Sequence, residues 1–494
     1  PEAACVATST PRGRVEELFD FAVKLCLLRS RVGNRGAELH FHPLVKEFLR
    51  SRIRRDLGDD AVQNIHHQIG THFAGRDWRI AARHFSLAGD GFAVQQVIRD
   101  GLDQILARGE AAAAHELVGN LPANSPHAHI LESRMLLQRG ESTAAIEAAR
   151  RAEECAEAGS SDMGAALINY ASLLASGSFY DELRGVVARA RSMALPEEQA
   201  RIASAMEQLL QASNRGSLLE VKRHMSRLAA HQHAAAQDHY LGVTYLNLAT
   251  LPVWTGRPEE TLRYADEADR LLGQASSAFE RNAVHQLRGR ALGQLGDWAA
   301  ARLSLHRALE FPHPLGYAEA VVEGTETAAL LGDTDTVRNL ADLLLQVDVP
   351  QWSCYRATVQ VLVALRIRDS LDLEKCVSAL ESDPRGIFNT GGRFRREFAL
   401  ARAAVALGLG SATGRIAEMT RTAHAQNSVT QIAISRLIGG IASGPRALGV
   451  LLGDPGIGQP QIAAMVAEEL VAVADDLDLN SQVRLAACIT AWPH

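Results

Sequence analysis

Residues 282–314, NAVHQLRGRALGQLGDWAAARLSLHRALEFPHP, contain two apolar stripes at helical spacing. The first stripe has apolar residues at steps of three and four: Val284, Leu287, Ala291 and Leu295. Gly296 permits the left-handed backbone that ends a helix, and Asp297 can cap the next one. A second stripe follows: Trp298, Ala301, Leu305, Ala308 and Leu309. Pro312 and Pro314 end it. Because two such short helices cannot bury both stripes alone, we expect neighbouring units to stack.

The same pattern, a glycine followed by acidic or aromatic residues and an Ala-rich run, recurs along the chain. It occurs at Gly89, Gly109, Gly140, Gly177, Gly256, Gly296 and Gly332. The spacing is 37 residues from Gly140 to Gly177, 40 from Gly256 to Gly296, and 36 from Gly296 to Gly332. A period of this length predicts an array of helical hairpins.

The unit at residues 282–314 resembles a tetratricopeptide repeat (TPR). With Gly296 as the turn glycine, five residues fall close to the remaining positions of that motif: Gly289, Ala301, Leu305, Ala308 and Pro312. The Gly140 unit matches through Ala145 and Ala152, and the Gly256 unit through Ala265 and Ala268. We therefore expect an all-α fold, a TPR-like superhelix of helical hairpins. Helix lengths should vary, because the periods exceed the strict repeat of about 34 residues.

Composition fits a helical protein with an ordinary water-facing surface. Hydrophobic residues make up 47%, charged residues 22% and aromatic residues only 5% of the 494 positions. A net charge of −6 gives no global basic field for nucleic acid, and we interpret the basic runs at 51–55 and 393–396 as solvated helix faces. The six cysteines form no CxxC pair, which favours a reducing compartment. No apolar run reaches about 18 residues, so we expect a cytoplasmic protein without membrane contact.

Catalytic and metal-binding patterns are not apparent in the sequence. It has no Gly-x-x-x-x-Gly-Lys-Ser/Thr phosphate loop and no strand-borne Gly-x-Ser-x-Gly nucleophile motif. Histidines cluster at 40 and 42, at 66, 67 and 72, and at 224, 231, 233 and 239. None of these clusters has the carboxylate spacing of a familiar zinc site, and polar helix faces explain them better. We expect neither an enzyme nor a resident metal.

The N-terminal segment has a different pattern from the repeats. Leu25–Leu28 and Ala37–Phe41 predict two strands around a turn at Gly33–Gly36, with a helix before and another after. This order predicts a small winged-helix-like segment. We divide the chain into a winged-helix-like segment (1–55), a helical arm (56–120), a TPR-like superhelix (121–426) and C-terminal helices (427–494).

Phe41–Leu49, FHPLVKEFL, followed by IHHQIGTHFAGRDWRIAARHFSLAGD at 65–90, resembles the MalT-like (LuxR-type) regulators of the STAND ATPase class. The resemblance covers about residues 20 to 350 and is specific near 41–90. It implies a parent protein with an ATPase module, this winged-helix end, an arm, a repeat-built sensor and a LuxR-type helix-turn-helix. The ATPase and DNA-binding modules are not in this chain, so we expect it to be a fragment that holds no cofactor itself, with ATP or ADP in the parent.

The resemblance also implies roles for residues and partners. His42 occupies the place where related proteins present a histidine to the β-phosphate of ADP; the alternative is a histidine satisfied within the winged helix. In the TPR register Gln286 and Arg290 face inward, and further candidates for lining the hollow are Tyr240, Trp254, Tyr317, Trp352 and Arg356. Ordinary interhelix packing remains the alternative for each aromatic residue.

Two functions remain open at this stage. The first is the sensor segment of an ATP-dependent transcription activator, which binds a small-molecule inducer or regulatory protein and controls self-association of the parent. DNA would then be bound only through the C-terminal module. The alternative is a TPR adaptor that docks partner proteins without a nucleotide cycle.

Overall fold

A computed structural model describes most of the chain, namely residues 2–8, 10–33, 36–118, 125–139, 141–176, 180–214, 217–273, 276–311, 339, 342, 353–367, 370–383, 390–426, 428–454, 470 and 473–490. The chain divides into two compact units. The first contains residues 1–106 and 110–132, and the second contains 107–109 and 133–494. The four segments predicted from the sequence remain a prediction.

The first unit begins with two helices, a β-hairpin and a third helix: α1 (Glu2–Thr8), α2 (Arg12–Lys24), β1 (Leu28–Gly33), β2 (Gly36–Phe41) and α3 (Pro43–Leu57). The strands are antiparallel, with Leu28 opposite Phe41. More helices follow: α4 (Asp59–Phe73), α5 (Trp78–Leu87), α6 (Gly91–Ala107) and α7 (Ala111–Val118). The predicted order of helix, two strands and helix is therefore present at the N-terminus.

The predicted start of the first strand is wrong by three residues. Leu25, Cys26 and Leu27 form the turn after α2, because their amides donate back to the carbonyls of Phe21, Val23 and Ala22. Cys26 has a φ of +57°, which no extended strand allows. The apolar composition of Leu25–Leu28 predicts a strand, but the first three of these residues close helix α2.

Helix α8 (Pro126–Gln138) begins in the first unit and ends in the second. The second unit continues as a series of helices: α9 (Ser142–Cys155), α10 (Ser161–Ser176), α11 (Tyr180–Arg191), α12 (Glu197–Asn214), α13 (Leu218–Ala234), α14 (Asp238–Thr255), α15 (Pro258–Leu272), α16 (Ala278–Gln294) and α17 (Trp298–Leu309). After a gap in the described residues come α18 (Ser353–Ile367), α19 (Ser370–Ser382), α20 (Thr390–Ala406), α21 (Ala412–Ala425), α22 (Val429–Ser443), α23 (Pro445–Leu451) and α24 (Leu479–Thr490).

These helices pack as hairpins that stack in chain order. From α9 to α17 and from α18 to α23, each helix packs against the next. The first helices of consecutive hairpins also touch one another, as α10 touches α12, α14 touches α16, and α20 touches α22. The all-α, TPR-like fold predicted from the sequence is thereby confirmed.

The hairpin α16–α17 shows why these residues pair. Val284, Leu287 and Ala291 of the predicted first stripe are buried, as are Ala301, Leu305 and Ala308 of the second. Leu295 was predicted as part of the first stripe, but it is 43% exposed because it follows the last residue of α16.

The turn chemistry of this hairpin follows the prediction. Gly296 has a φ of +83°, and the Asp297 carboxylate accepts a hydrogen bond from the Ala300 amide at 3.1 Å. The start of α16 has a cap that the predicted pattern does not include. There Ser277 and Glu280 form a capping box, in which each side chain accepts from the other residue's amide.

Turn glycines recur where the repeat pattern predicted them. Gly89, Gly109 and Gly256 have φ values of +75°, +67° and +75°. The predicted turns at Gly140, Gly177 and Gly332 lie outside the described residues, as do Pro312 and Pro314. The helix expected around Met465–Leu477 also lies largely outside them, and at its end Ala474–Asp476 forms a 3-10 turn. Among the described helices, none is long and apolar enough to cross a membrane.

Replacing Gly289 with alanine should destabilise the repeat array. A Cβ there would lie 2.6 Å from Cγ of Leu305 and 3.1 Å from the carbonyl oxygen of Ala301. Overpacking of this kind costs about 1–3 kcal/mol. We expect Gly289→Ala to lower the apparent Tm by circular dichroism. Gly414→Ala on α21, where a Cβ meets nothing within 4 Å, is the control and should leave Tm unchanged or raise it. Equal Tm values for the two variants would contradict the close packing.

Candidate ligand-binding site

His42, the predicted nucleotide-contacting residue, precedes the first residue of α3. Its side chain is exposed and makes no capping hydrogen bond. Its backbone N–H donates to the Leu27 carbonyl at 3.3 Å, and its own carbonyl accepts from the Lys46 amide at 2.9 Å. The backbone is therefore anchored between the hairpin and α3, while the imidazole faces solvent. Its role towards nucleotide remains a prediction.

The predicted residues on α14 lie along one side of that helix. Tyr240 is partly buried, and Val243, Asn247 and Thr250 follow it at steps of three, four and three. Asn247 is exposed, and its amide nitrogen donates to the Val243 carbonyl at 3.1 Å. Trp254 continues the spacing, although its side chain lies outside the described part of the chain. Among the described residues on this side, Asn247 is exposed and Tyr240, Val243 and Thr250 are partly buried.

The remaining predicted site residues are divided between α16, α18 and the gap. Gln286 on α16 is only 7% exposed, and Arg290 is partly buried. Arg356 on α18 is also partly buried. Tyr317 and Trp352 lie outside the described residues. The described residues alone do not show whether the predicted residues meet, so their shared ligand-binding role remains a prediction.

A polar cluster that is not among the predicted site residues lies on the first helices of four hairpins. We call Ser133, Arg134, Asn169, His239 and Glu280 the first-helix cluster. In its first half, Nε of Arg134 on α8 donates to Oδ1 of Asn169 on α10 at 2.6 Å. Nδ2 of Asn169 donates in turn to Oγ of Ser133 at 2.9 Å. Asn169 and Ser133 are almost completely buried, so both ends of this amide are fixed.

The second half of the cluster joins α14 to α16. Nε2 of His239 lies 3.5 Å from Oε1 of Glu280. The other carboxylate oxygen of Glu280 accepts from the Ser277 amide at 2.7 Å, which holds the carboxylate at the start of α16. Nδ1 of His239 is buried and has no hydrogen-bond partner. A buried ring nitrogen without a partner destabilises the fold, because it has lost its hydrogen bond to water and gained none in the protein.

The electrostatics connect the two halves. Burial lowers the pKa of His239 below its ordinary value of 6.5; the Glu280 carboxylate opposes this change, and the positive charge of Arg134 adds to it. Arg134 therefore lies near enough to His239 to influence its protonation. Because the pKa is lowered, the imidazole is neutral at pH 7, with Nε2 as the site for its proton beside Glu280.

The repeat register explains why these side chains meet. Arg134 and Asn169 are both the ninth residue of their helices, α8 and α10. His239 and Glu280 are the second and third residues of α14 and α16. Near-equivalent positions in consecutive hairpins face each other, since first helices pack side by side. The signal for both pairs in the sequence is therefore their shared position in the repeat, not their spacing along the chain.

Other histidines form separate pairs in the first unit. Nδ1 of His66 lies 2.9 Å from Nδ1 of His84, and burial lowers the pKa of both rings. Nε2 of His67 lies 3.2 Å from the Asp90 carboxylate, and Nε2 of His72 lies 2.8 Å from Glu2. Within the described residues, no three His, Cys, Asp or Glu side chains converge as metal ligands would.

No family model and no curated protein sequence matches the chain. Several solved structures have similar arrangements of helices. A Rap protein complexed with Competence and Sporulation Factor is 13% identical, with a TM-score of 0.37 over 77% of this chain and 97% of that one. A STAND protein with a tetratricopeptide repeat sensor from Pyrococcus horikoshii is 12% identical, with a TM-score of 0.41 over 85% and 62%. Yeast Tom70 is 10% identical, with a TM-score of 0.34 over 80% and 95%. All these TM-scores are below 0.5, so the likenesses carry no argument about function.

The lowered pKa of His239 predicts a loss of stability in acid. In the unfolded chain this imidazole binds a proton near pH 6.5, whereas in the folded chain it does so only at lower pH. The free energy of unfolding should therefore fall as the pH drops below about 6.5. We expect His239→Gln to reduce the fall in apparent Tm between about pH 7.5 and 5.5. Burial also lowers the pKa values of His66, His84 and His285, so these residues should account for the part of the fall in Tm that remains. An unchanged pH dependence in His239→Gln would contradict this assignment.

Proposed function

We propose that this chain is the signal-binding segment of a MalT-like STAND transcription activator, and that the signal binds along the first helices of its hairpins. The observation that carries the proposal is the first-helix cluster. Four hairpins contribute side chains to it, and it includes a partly buried arginine and a partly buried histidine whose Nδ1 is buried without a partner. Polar groups of this kind destabilise an unliganded array but provide oriented contacts for a ligand.

The N-terminal segment supports the same proposal. Its order of helix, hairpin and helix accompanies the FHPLVKEFL resemblance, with His42 exposed at the start of α3. Leu44 and Phe48 beside it are 75% and 58% exposed, and Phe21 on α2 is 60% exposed. Leu44 and Phe48 lie one turn apart on α3, and large apolar side chains exposed together in this way mark an interaction site. We propose that it contacts the ATP- or ADP-binding module of the parent protein.

In this account a signal controls the parent by favouring one of its states. A ligand that binds the array changes the balance of states only by its differential affinity for them. We propose that the favoured state self-associates and binds DNA through the C-terminal module of the parent. The signal is a small-molecule inducer or a regulatory protein.

A second candidate function is a TPR adaptor without a nucleotide cycle. One side of α14 favours it, because its polar side chains Tyr240, Asn247 and Thr250 extend over about 15 Å of helix and Asn247 is exposed. A long polar stripe suits an extended peptide segment of a partner protein better than a compact metabolite. The two candidates differ in the size of the ligand and in whether nucleotide changes its affinity.

A thermal-shift screen of metabolites and short peptides against this chain tests both candidates. A ligand at about a hundred times its Kd stabilises the folded state by about 2.7 kcal/mol, so it must raise the apparent Tm. We expect such a ligand to bind less tightly to Asn247→Ala. Glu267→Ala, on the second helix α15, is the matched control and should bind normally. If no metabolite or peptide raises Tm, the signal-binding proposal fails.

A further inference from the structure

Arg134 differs from the neighbouring arginines of the second unit in its partner. Arg189 pairs with Glu153 at 2.8 Å, and Arg288 pairs with Asp266 at 2.7 Å. Arg134 instead bonds to the neutral amide of Asn169, and among the described residues no carboxylate lies within ion-pairing distance of it. A partly buried guanidinium is thus left without an ion-pair partner, which is unfavourable in a medium less polar than water.

Asn169 determines which edge of the guanidinium remains open. It occupies Nε at 2.6 Å, and because its own Nδ2 donates to Ser133 it cannot move without breaking a buried hydrogen bond. The two Nη groups at the other end of the plane have no partner within the described chain. Two parallel N–H groups in one plane match the two oxygens of a carboxylate or phosphate.

The acidic member of the first-helix cluster, Glu280, forms no ion pair with Arg134. Glu280 is held by the Ser277 amide at 2.7 Å and lies 3.5 Å from His239. His239 is neutral at pH 7 because burial lowers its pKa. Glu280 therefore balances the charge of Arg134 without contacting it, and the guanidinium has no ion-paired carboxylate among the described residues.

We propose that Arg134, oriented by Asn169 and Ser133, is the binding site for an anionic group of the signal, either a carboxylate or a phosphate. The inference rests on the proposed signal-binding function and specifies the chemistry of the ligand. Arg134 supplies a bidentate contact, and the buried Asn169 makes it rigid, so little side-chain entropy is lost on binding.

The test uses three small probes at constant ionic strength: sodium succinate, inorganic phosphate and the neutral analogue succinamide. Apparent Tm and calorimetric titration are measured for each. We expect at least one anion to bind and raise Tm, while succinamide does neither. A stronger effect of phosphate identifies a phosphate-bearing signal, and a stronger effect of succinate identifies a carboxylate-bearing one.

Variants separate an anion site from a structural brace between α8 and α10. Arg134→Gln removes the charge, and Asn169→Asp supplies an internal carboxylate that competes for the guanidinium. Each should weaken anion binding about tenfold or more, as expected for charge-assisted hydrogen bonds. Asn169→Asp is nearly isosteric and provides an ion pair for Arg134, so without anion its Tm should equal that of the wild type. This variant keeps the test valid if Arg134→Gln folds poorly. Arg270→Gln, which breaks only an exposed pair with Glu267, is the matched control and should bind normally.

Two outcomes would overturn the anion site. One is that neither anion raises Tm of the wild-type chain. The other is that Asn169→Asp responds as the wild type does. A ligand from the metabolite and peptide screen that binds Arg134→Gln as tightly as wild type would also overturn it, while leaving the signal-binding proposal intact.

Discussion

The close approach of paired helices through small residues is the constraint on which the rest of the structure depends. Gly289 lies against Leu305 and the backbone of Ala301, and Ala265 and Ala268 are completely buried between helices of the neighbouring hairpin. Each helix is too short to bury its apolar stripe against one partner, so it packs against the next along the chain. Small side chains also allow the first helices of successive hairpins to touch. This contact between first helices brings the residues of the candidate site together.

Because first helices lie side by side, equivalent positions of successive hairpins become neighbours. Arg134 and Asn169 meet in this way, and so do His239 and Glu280. The repeat therefore collects polar residues that are 35 and 41 positions apart in sequence. The buried amide of Asn169 orients an arginine that has no acid partner among the described residues. An arginine without an ion-pair partner makes the unliganded fold less stable. This is consistent with a ligand site, since a bound anion would supply the missing partner.

The repeats could be predicted because their signals are local. Apolar periodicity, a turn glycine and a capping aspartate identified α16 and α17, and these elements are present with Gly296 and Asp297 in the expected roles. Boundaries were less accurate where local signals conflict. The Leu25–Leu28 run is β-like in composition, yet hydrogen bonds from α2 hold its first residues in a turn.

The site could be predicted only in part, because it depends on contacts between hairpins. Gln286 and Arg290 were predicted from the repeat register, but Gln286 is buried and Arg290 is partly buried. Arg134 and Asn169 were not identified, since neither is unusual within its own helix. Their significance comes from the hydrogen bond between α8 and α10 and from the lack of a carboxylate near the guanidinium.

The central claim is that the signal binds to the first helices of the hairpins. Hydrogen–deuterium exchange of the chain, with and without the probe or ligand that raises its Tm, tests this most directly. We expect slower amide exchange in α8, α10, α14 and α16, because a bound ligand suppresses local opening of the helices that it contacts. Protection confined to second helices such as α9, α11 and α15, with the first helices unchanged, would contradict the account.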